Sequence, residues 1–416
     1  MSWLGWITLF VAVAGAGIAV RRPIVGLLVY VWLDFMRPHD FAVDAGWFRP
    51  MLFVGLVTAA ATAWHRRRGL AEHQRLFLPF LVLLVVLAVS ALLGDDPPRS
   101  AARVLMVGKD VVLVWLFVQL VDGYERFEAV VWVIALSMLC LAAYAAVQGY
   151  ERGTVAEFTR ATAVHGPGIE HPGPLTDNND LARVLAAAVP LWWLLAASKG
   201  AGRWRRAFAA FGCTVTVIGV AYTYSRGGFL ALMTAAAAIT FCYFAWPRVV
   251  LLMLLCVGVI VAVAPQSYSR RVVSIVAPQD TSFAQRLQVW KVGLAELRND
   301  PLFGVGPGLF RTRGQQRTSH NIFIEVVVES GFIGLTAYLG MLTAVFRALH
   351  RRWRAPAGPT DQRRQAAFAV GVSLLAYLVA SLALGGAYQT RMFALIGLAL
   401  ALATVPLRRG SGQAAS

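Results

Sequence analysis

The chain has 416 residues, of which 58% are hydrophobic and only 14% charged. Soluble domains carry about one-quarter charged residues, so a water-soluble globular protein is excluded. Lys and Arg outnumber Asp and Glu by 38 to 21, but they fall in short clusters between apolar runs, not on one basic face, which argues against nucleic-acid binding.

Apolar runs recur near residues 3–20, 23–36, 51–64, 76–93, 101–122, 127–148, 181–198, 207–224, 229–246, 249–264, 321–346, 366–386 and 390–406. Crossing about 30 Å of hydrocarbon takes roughly 20 residues of helix. The pattern therefore predicts an all-α polytopic membrane protein with about 12–13 transmembrane helices, built as a single integral membrane domain over residues 1–416. The uncertainty in number lies in residues 3–36, which fit two spans or one span plus a re-entrant piece. The first run has no small-residue cleavage site before Arg21 and Arg22, so it reads as a retained span. Cys140, Cys213, Cys242 and Cys256 all lie inside apolar runs; they offer neither a disulfide framework nor a CxxC knuckle and read as small buried hydrophobes.

Basic clusters at Arg21-Arg22, His65 to Arg68, Lys199 to Arg206, Arg347 to Arg354 with Arg363-Arg364, and Arg408-Arg409 mark cytoplasmic loops by the positive-inside rule. Threading them inside puts 149–180, 225–228, 265–320 and 385–391 outside and the C-terminus in the cytoplasm. Loops 149–180 and 265–320 are long for a helical bundle, and long ordered loops tend to be functional. The first reads HGPGIEHPGPLTDNND before its helix, with Asp177 or Asn178 to Asp180 as N-caps for a span starting near Leu181. In the second, Phe283 to Leu297 spaces Leu287, Trp290, Val292 or Gly293, Leu294 and Leu297 as one face of a short amphipathic helix on the outer membrane surface.

Charged residues inside or beside apolar runs are costly and point to function or specific pairing. Asp34, Arg37, His39 and Asp40 cluster where the second span meets the outside, which fits a structural role or acceptor binding. Lys109 and Asp110 interrupt the fifth span as neighbours that cannot face each other on a helix. Arg226 lies in YTYSRGGFL between two apolar runs. There Gly227 and Gly228 imply a broken or tightly turned backbone, and Ser225 to Gly228 offer free N–H groups beside a guanidinium, an anion site. Arg286 sits four residues before Trp290 on the polar side of the surface helix and suits bidentate phosphate recognition. His320, at the outer mouth of a span, suits proton transfer near neutral pH. It is followed by Asn321 as a helix cap and by Glu325 and Glu329 one turn apart on the same face.

No HExxH, GxSxG or GxxxxGK[ST] motif is present, and no DxD pair lies in an outer loop; Asp95-Asp96 is a weak exception. The expectation is a reaction without metal or cofactor, with arginines carrying the charge stabilisation.

The order SRGG, then RxxxW with GxxxxxxxPxxGxGxG, then HNxxxExxxESGxxG resembles the O-antigen ligase and O-antigen polymerase superfamily. It is carried by Ser225-Arg226-Gly227-Gly228, by Arg286 with Trp290, Gly293, Pro301, Gly304, Gly306 and Gly308, and by His320-Asn321 with Gly331 and Gly334. It spans roughly residues 175–400, DNNDLA at 177–182 included. The opening RRPIVGLLVYVWLDFMRPHDF is similar to putative O-glycosylation ligases associated with exosortase systems. The resemblance implies a GT-C-like fold in a bacterial inner membrane. It also implies transfer of a glycan from undecaprenyl diphosphate to lipid A-core at the periplasmic face.

Such a transfer needs charge stabilisation on the leaving group and a base for the acceptor hydroxyl. Arg226 and Arg286, with Ser225 and Gly227, suit the first and His320 the second, with Asn321, Glu325, Glu329 and Trp290 in support. Direct displacement would invert the anomeric centre. A polymerase would use the same donor with a second lipid-linked glycan as acceptor. A lipid-linked glycan transporter is the rival from another class, but its mark would be internal repeats, and none is apparent between the two halves.

Overall fold

The computed structural model describes residues 3–41, 49–65, 74–152, 178–198, 200–243, 281–310, 319–355 and 361–405. Among these there are thirteen α-helices, one 3₁₀ turn at Pro38–Phe41 and no strand. The helices are α1 (Trp3–Arg21), α2 (Pro23–Met36), α3 (Pro50–His65), α4 (Gln74–Leu93), α5 (Pro97–Leu120), α6 (Tyr124–Arg152), α7 (Asn178–Ala197), α8 (Arg203–Tyr222), α9 (Arg226–Tyr243), α10 (Thr281–Glu296), α11 (Ile322–Arg354), α12 (Gln362–Ser381) and α13 (Thr390–Thr404). Every expected span except 249–264 falls on one of them. That span, Cys256, residues 153–177 of the first long loop, residues 265–280 and 311–318 of the second, and the Asp40 side chain lie outside the described residues.

The chain is an all-α polytopic membrane protein. Six described helices, α4, α6, α7, α9, α11 and α12, are long and apolar enough to cross a bilayer, and α1, α2, α3 and α13 are shorter apolar helices. Their outer faces are apolar too, as lipid contact demands. On α4, Leu78, Val85 and Leu92 are exposed while Phe80, Leu83 and Leu87 are buried. The cysteines correct their expectation: Cys140 and Cys242 are exposed on such faces and Cys213 is half-buried.

The core runs through α7, which packs on α6, α8, α9 and α12, while α13 fits against α5, α11 and α12. Close approach has visible causes. The Trp192 indole N–H donates to Thr216 Oγ1 at 3.1 Å, and a side chain at Gly212 would overlap the same indole.

Contacts sort the helix ends into two groups. At one end, Arg205 pairs with Glu128, Arg352 donates to the Val405 carbonyl, and Arg354 and Arg364 lie 5.7 and 5.9 Å from the Trp353 ring. This basic end carries, among the described residues, the arginines of two clusters expected in the cytoplasm, Arg203 to Arg206 and Arg347 to Arg354 with Arg363-Arg364. The opposite end gathers the turns α4–α5, α8–α9 and α12–α13 with the start of α11, and here the backbone departs from helix.

The departure is sharpest within α11, whose Gly331 has φ 66° and ψ −171°, a region that only glycine occupies readily. The kink breaks the helical ladder, and the segment Pro301–Phe310 restores the pairing. Phe332 N–H donates to Pro301 O (2.9 Å) and Ile333 N–H to Leu302 O (3.2 Å), while Val328 O and Glu329 O accept from Val305 N–H (3.0 Å) and Gly306 N–H (2.9 Å). Ser90 of α4 adds bonds to Phe303 O and Glu329 O at 2.6 and 3.0 Å. Irregular backbone in a membrane protein persists where its polar groups are satisfied in this way.

Candidate functional site

The α8–α9 turn differs from its expected form in two respects. Two of the N–H groups expected to be free are already donated, Ser225 N–H to Thr223 Oγ1 at 3.3 Å and Gly228 N–H to Ser225 Oγ. Left-handed backbone occurs at Tyr224, φ 55°, not at either glycine. Ser225 is buried and caps α9, its Oγ accepting the Gly228 N–H at 3.1 Å. The two glycines serve packing. A Cβ at Gly227 would meet Ala383 Cβ at 3.2 Å and Ala380 O at 3.4 Å, and one at Gly228 would overlap Ala182 of α7. Arg226, half-buried, opens α9 at the junction of α7, α9 and the end of α12.

Helix α10 forms over nearly the expected residues, and the expected face is met at Trp290, Gly293 and Leu297 but not at Leu287 and Leu294. Val289, Gly293 and Leu297 are buried, and Arg286 and Trp290 are half-buried beside them. Leu287 and Leu294 are instead exposed. Arg286 is thus on the inward side of the helix, one turn from Trp290. The helix is seated by Gly293, where a Cβ would lie 2.9 Å from the Phe310 ring and 3.3 Å from Val328.

Trp290 ties α10 to the histidine, its indole N–H donating to the Ser319 carbonyl at 2.6 Å. His320 has φ 48°, a left-handed conformation that costs a non-glycine residue about 1–2 kcal/mol and survives where neighbours fix it. Several do. The Ser319 hydroxyl accepts from Asn321 N–H at 3.3 Å, and Asn321 Oδ1 caps α11 by accepting Phe323 N–H and Ile324 N–H at 2.9 and 3.2 Å. Asn321 Nδ2 also donates to Leu382 O at 3.3 Å.

The α12–α13 turn joins these parts. Gly385 and Gly386 have φ 70° and 82°. A Cβ at Gly385 would stand 2.7 Å from Glu325 Oε2, 3.2 Å from Ser319 Oγ and 3.5 Å from His320 N. Glu325 Oε2 accepts the Gly386 N–H at 2.6 Å. The His320 turn thus packs on Gly385, the SRGG turn on Ala380 and Ala383 just before it, and Arg286 stands one turn from the tryptophan that holds Ser319. Glu329 takes a different place, buried at the α11 kink with Oε1 accepting the Phe310 N–H at 3.4 Å. It stays within electrostatic reach of Glu325, one turn earlier, and of Arg103 of α5, which also reaches over the Tyr388 ring at 5.7 Å.

The other flagged charges are placed elsewhere. Asp34 is buried, and its main-chain carbonyl at the end of α2 accepts both Nε and one terminal nitrogen of Arg391 at 3.1 and 2.9 Å. That is a helix-ending role. Asp110 is buried toward Thr390 while Lys109 is exposed, so the two do diverge. Asp96 caps α5 through Arg99 N–H at 3.1 Å, and Asp95 N–H donates to Val305 O at 3.0 Å. Among the described residues no three His, Cys, Asp or Glu side chains gather as a metal's ligands would.

Sequence reasoning missed Arg183 and Arg103. Arg183 is 1% exposed in α7. The signal for it was available, since an arginine followed by an apolar run meets the criterion that singled out Arg226.

Comparison with known proteins adds two matches. Residues 209–339 match the family described as O-antigen ligase, and residues 1–154 match a family of unknown function, DUF5935. The first contains the SRGG turn, α10, the His320 turn and the α11 kink. No curated protein matches the chain.

Proposed function

From a chain that carries an O-antigen ligase superfamily segment over residues 209–339, we propose a membrane glycosyltransferase. It moves a glycan from undecaprenyl diphosphate to the outer core of lipid A-core at the periplasmic face of the bacterial inner membrane. The observation that supports this most is the meeting of the SRGG and His320 turns on residues 380–385, with Arg286 brought alongside through Trp290.

In the proposed step, His320 accepts the proton of an acceptor hydroxyl as that oxygen bonds to the anomeric carbon. The bond from that carbon to the diphosphate oxygen breaks, and its electron pair leaves on the diphosphate. Arg226 and Arg286 hold the leaving group, helped by Ser225 and the Gly227 N–H near the start of α9. Such contacts are worth about 10² to 10³ in rate each when they strengthen as charge develops. Attack from the face opposite the leaving group inverts the anomeric centre. The arginines supply the stabilisation, so the step is written without metal.

Reconstitution of the full-length protein in liposomes with defined lipid-linked glycan and lipid A-core tests the reading. The expected product is inverted glycan on lipid A-core, formed equally well with chelator present. Extension of one lipid-linked glycan by another, with lipid A-core untouched, would replace ligation by polymerisation. Abolition by chelator with recovery on adding Mg²⁺ would overturn the metal-free step.

A further inference from the structure

Arg183 projects from the second turn of α7, and its guanidinium is enclosed. One terminal nitrogen donates to Ser381 Oγ at 3.1 Å and to the Gly385 carbonyl at 2.8 Å. The other pairs with Asp180, and the Tyr377 ring lies 4.7 Å from the guanidinium carbon. Burying a guanidinium is costly, and for simple helix packing an apolar side chain of similar volume does as well or better. The position of its acceptors distinguishes this one.

Gly385 O and Gly386 N–H belong to the same peptide unit. Arg183 holds that unit by its oxygen, and Glu325 holds it by its hydrogen at 2.6 Å. The peptide is thus fixed between a cation and an anion, each at the matching end of its dipole, an arrangement in which the two bonds polarise and strengthen one another. Both glycines are left-handed, so little in their own side chains or conformational preferences sets the plane of this peptide. The surface it fixes is the one against which Ser319 Oγ and His320 N rest.

We propose that Arg183 and Glu325 form a clamp on the Gly385–Gly386 peptide, and that Arg183 is a positioning residue for His320. Resting on the transferase reading above, this gives a role to a residue outside the segment of the family match. Arg183 acts through the turn and touches neither donor nor acceptor. Its loss lets the peptide rotate, and His320, held in a conformation it does not prefer, loses the wall it leans on.

The test uses purified full-length protein in the liposome transfer assay, with His320→Ala as the benchmark. Arg183→Ala is expected to lower kcat about 10²-fold, the effect of a displacement near 1 Å at a reacting group, with the KM for the lipid-linked donor unchanged. Arg183→Lys, which restores one cationic donor, should recover part of kcat. Arg183→Ala combined with Glu325→Gln should be little slower than either change alone, because both release one peptide.

Wild-type kcat in Arg183→Ala, or a loss confined to KM, overturns the clamp while leaving His320 in place. Wild-type transfer by His320→Ala overturns the transferase site itself. Where Arg183→Ala is not recovered folded, Arg183→Met, which keeps most of the side-chain bulk but has no donor for Gly385 O, is read by the same kcat and KM split, with the same two outcomes.

Discussion

Replacing Gly331 by alanine perturbs the feature on which the site end depends. The glycine's φ and ψ lie in a region that costs other residues about 1–3 kcal/mol. The new Cβ would also overlap the Leu302 carbonyl, so the segment Pro301–Phe310 must lift away from α11. Lifting it breaks the four main-chain bonds made by Pro301, Leu302, Val305 and Gly306, worth about 1 kcal/mol each. The total is on the order of 5 kcal/mol, as large as the whole stability of many domains. At Gly340, further along the same helix, a Cβ would meet no atom within 4 Å, and there alanine should stabilise by up to about 1 kcal/mol through helix propensity. Thermal unfolding of the two purified variants in detergent, followed by tryptophan fluorescence, compares them directly. Gly340→Ala should match or exceed the parent, whereas Gly331→Ala should unfold far below it or fail to yield folded protein. Midpoints within about 2 °C of each other would refute the account of the kink.

The same geometry makes three further predictions. His320→Gly should be more stable than His320→Ala by about 1 kcal/mol because glycine accepts the left-handed backbone, although both lose transfer; equal stabilities by denaturant titration would show that the strain is absent. Trp290→Phe leaves the buried Ser319 carbonyl without its donor at a cost of about 1–3 kcal/mol; it should lower kcat more than donor KM, and an unchanged kcat would detach α10 from the site. Burial, followed by the nearby Glu329 carboxylate, raises the Tyr388 hydroxyl well above its usual range. Its neutral form therefore supports the fold fully below tyrosine's ordinary value near 10 and this support is lost as pH climbs above it. Tyr388→Phe should flatten the alkaline fall in unfolding midpoint between about pH 9 and 11; an unaltered slope would refute this.

The helices were legible because apolar run length and basic flanks are local properties. The Asn321 cap was legible for the same reason, since an Asn ahead of an apolar run is a cap by residue type. What escaped the sequence depends on distant partners. The segment ESGFIG reads as uninterrupted helix, and its kink exists because residues 301–306 take over the backbone bonds. The SRGG glycines look like a turn, yet they make room for α7 and α12, and the turn itself falls on Tyr224. Periodicity set α10 in place and put Gly293 and Leu297 on its inner face, but it also put Leu287 and Leu294 there, because the helix is seated by the distant Phe310 and Val328 at Gly293. The hub at Gly385 carries no reactive side chain, so nothing in its residue type announced that the His320 turn would rest on it.

The central claim is that Arg226, Arg286 and His320 act as one site. A triple-mutant cycle on single-turnover transfer in liposomes, with each residue changed to alanine alone and in combination, tests it most directly. Residues acting as a unit are grossly non-additive: each single change should cost about 10² or more in rate, and the triple variant little beyond the worst single one. Losses that multiply across the three, or single variants that keep the parent rate, would contradict the account.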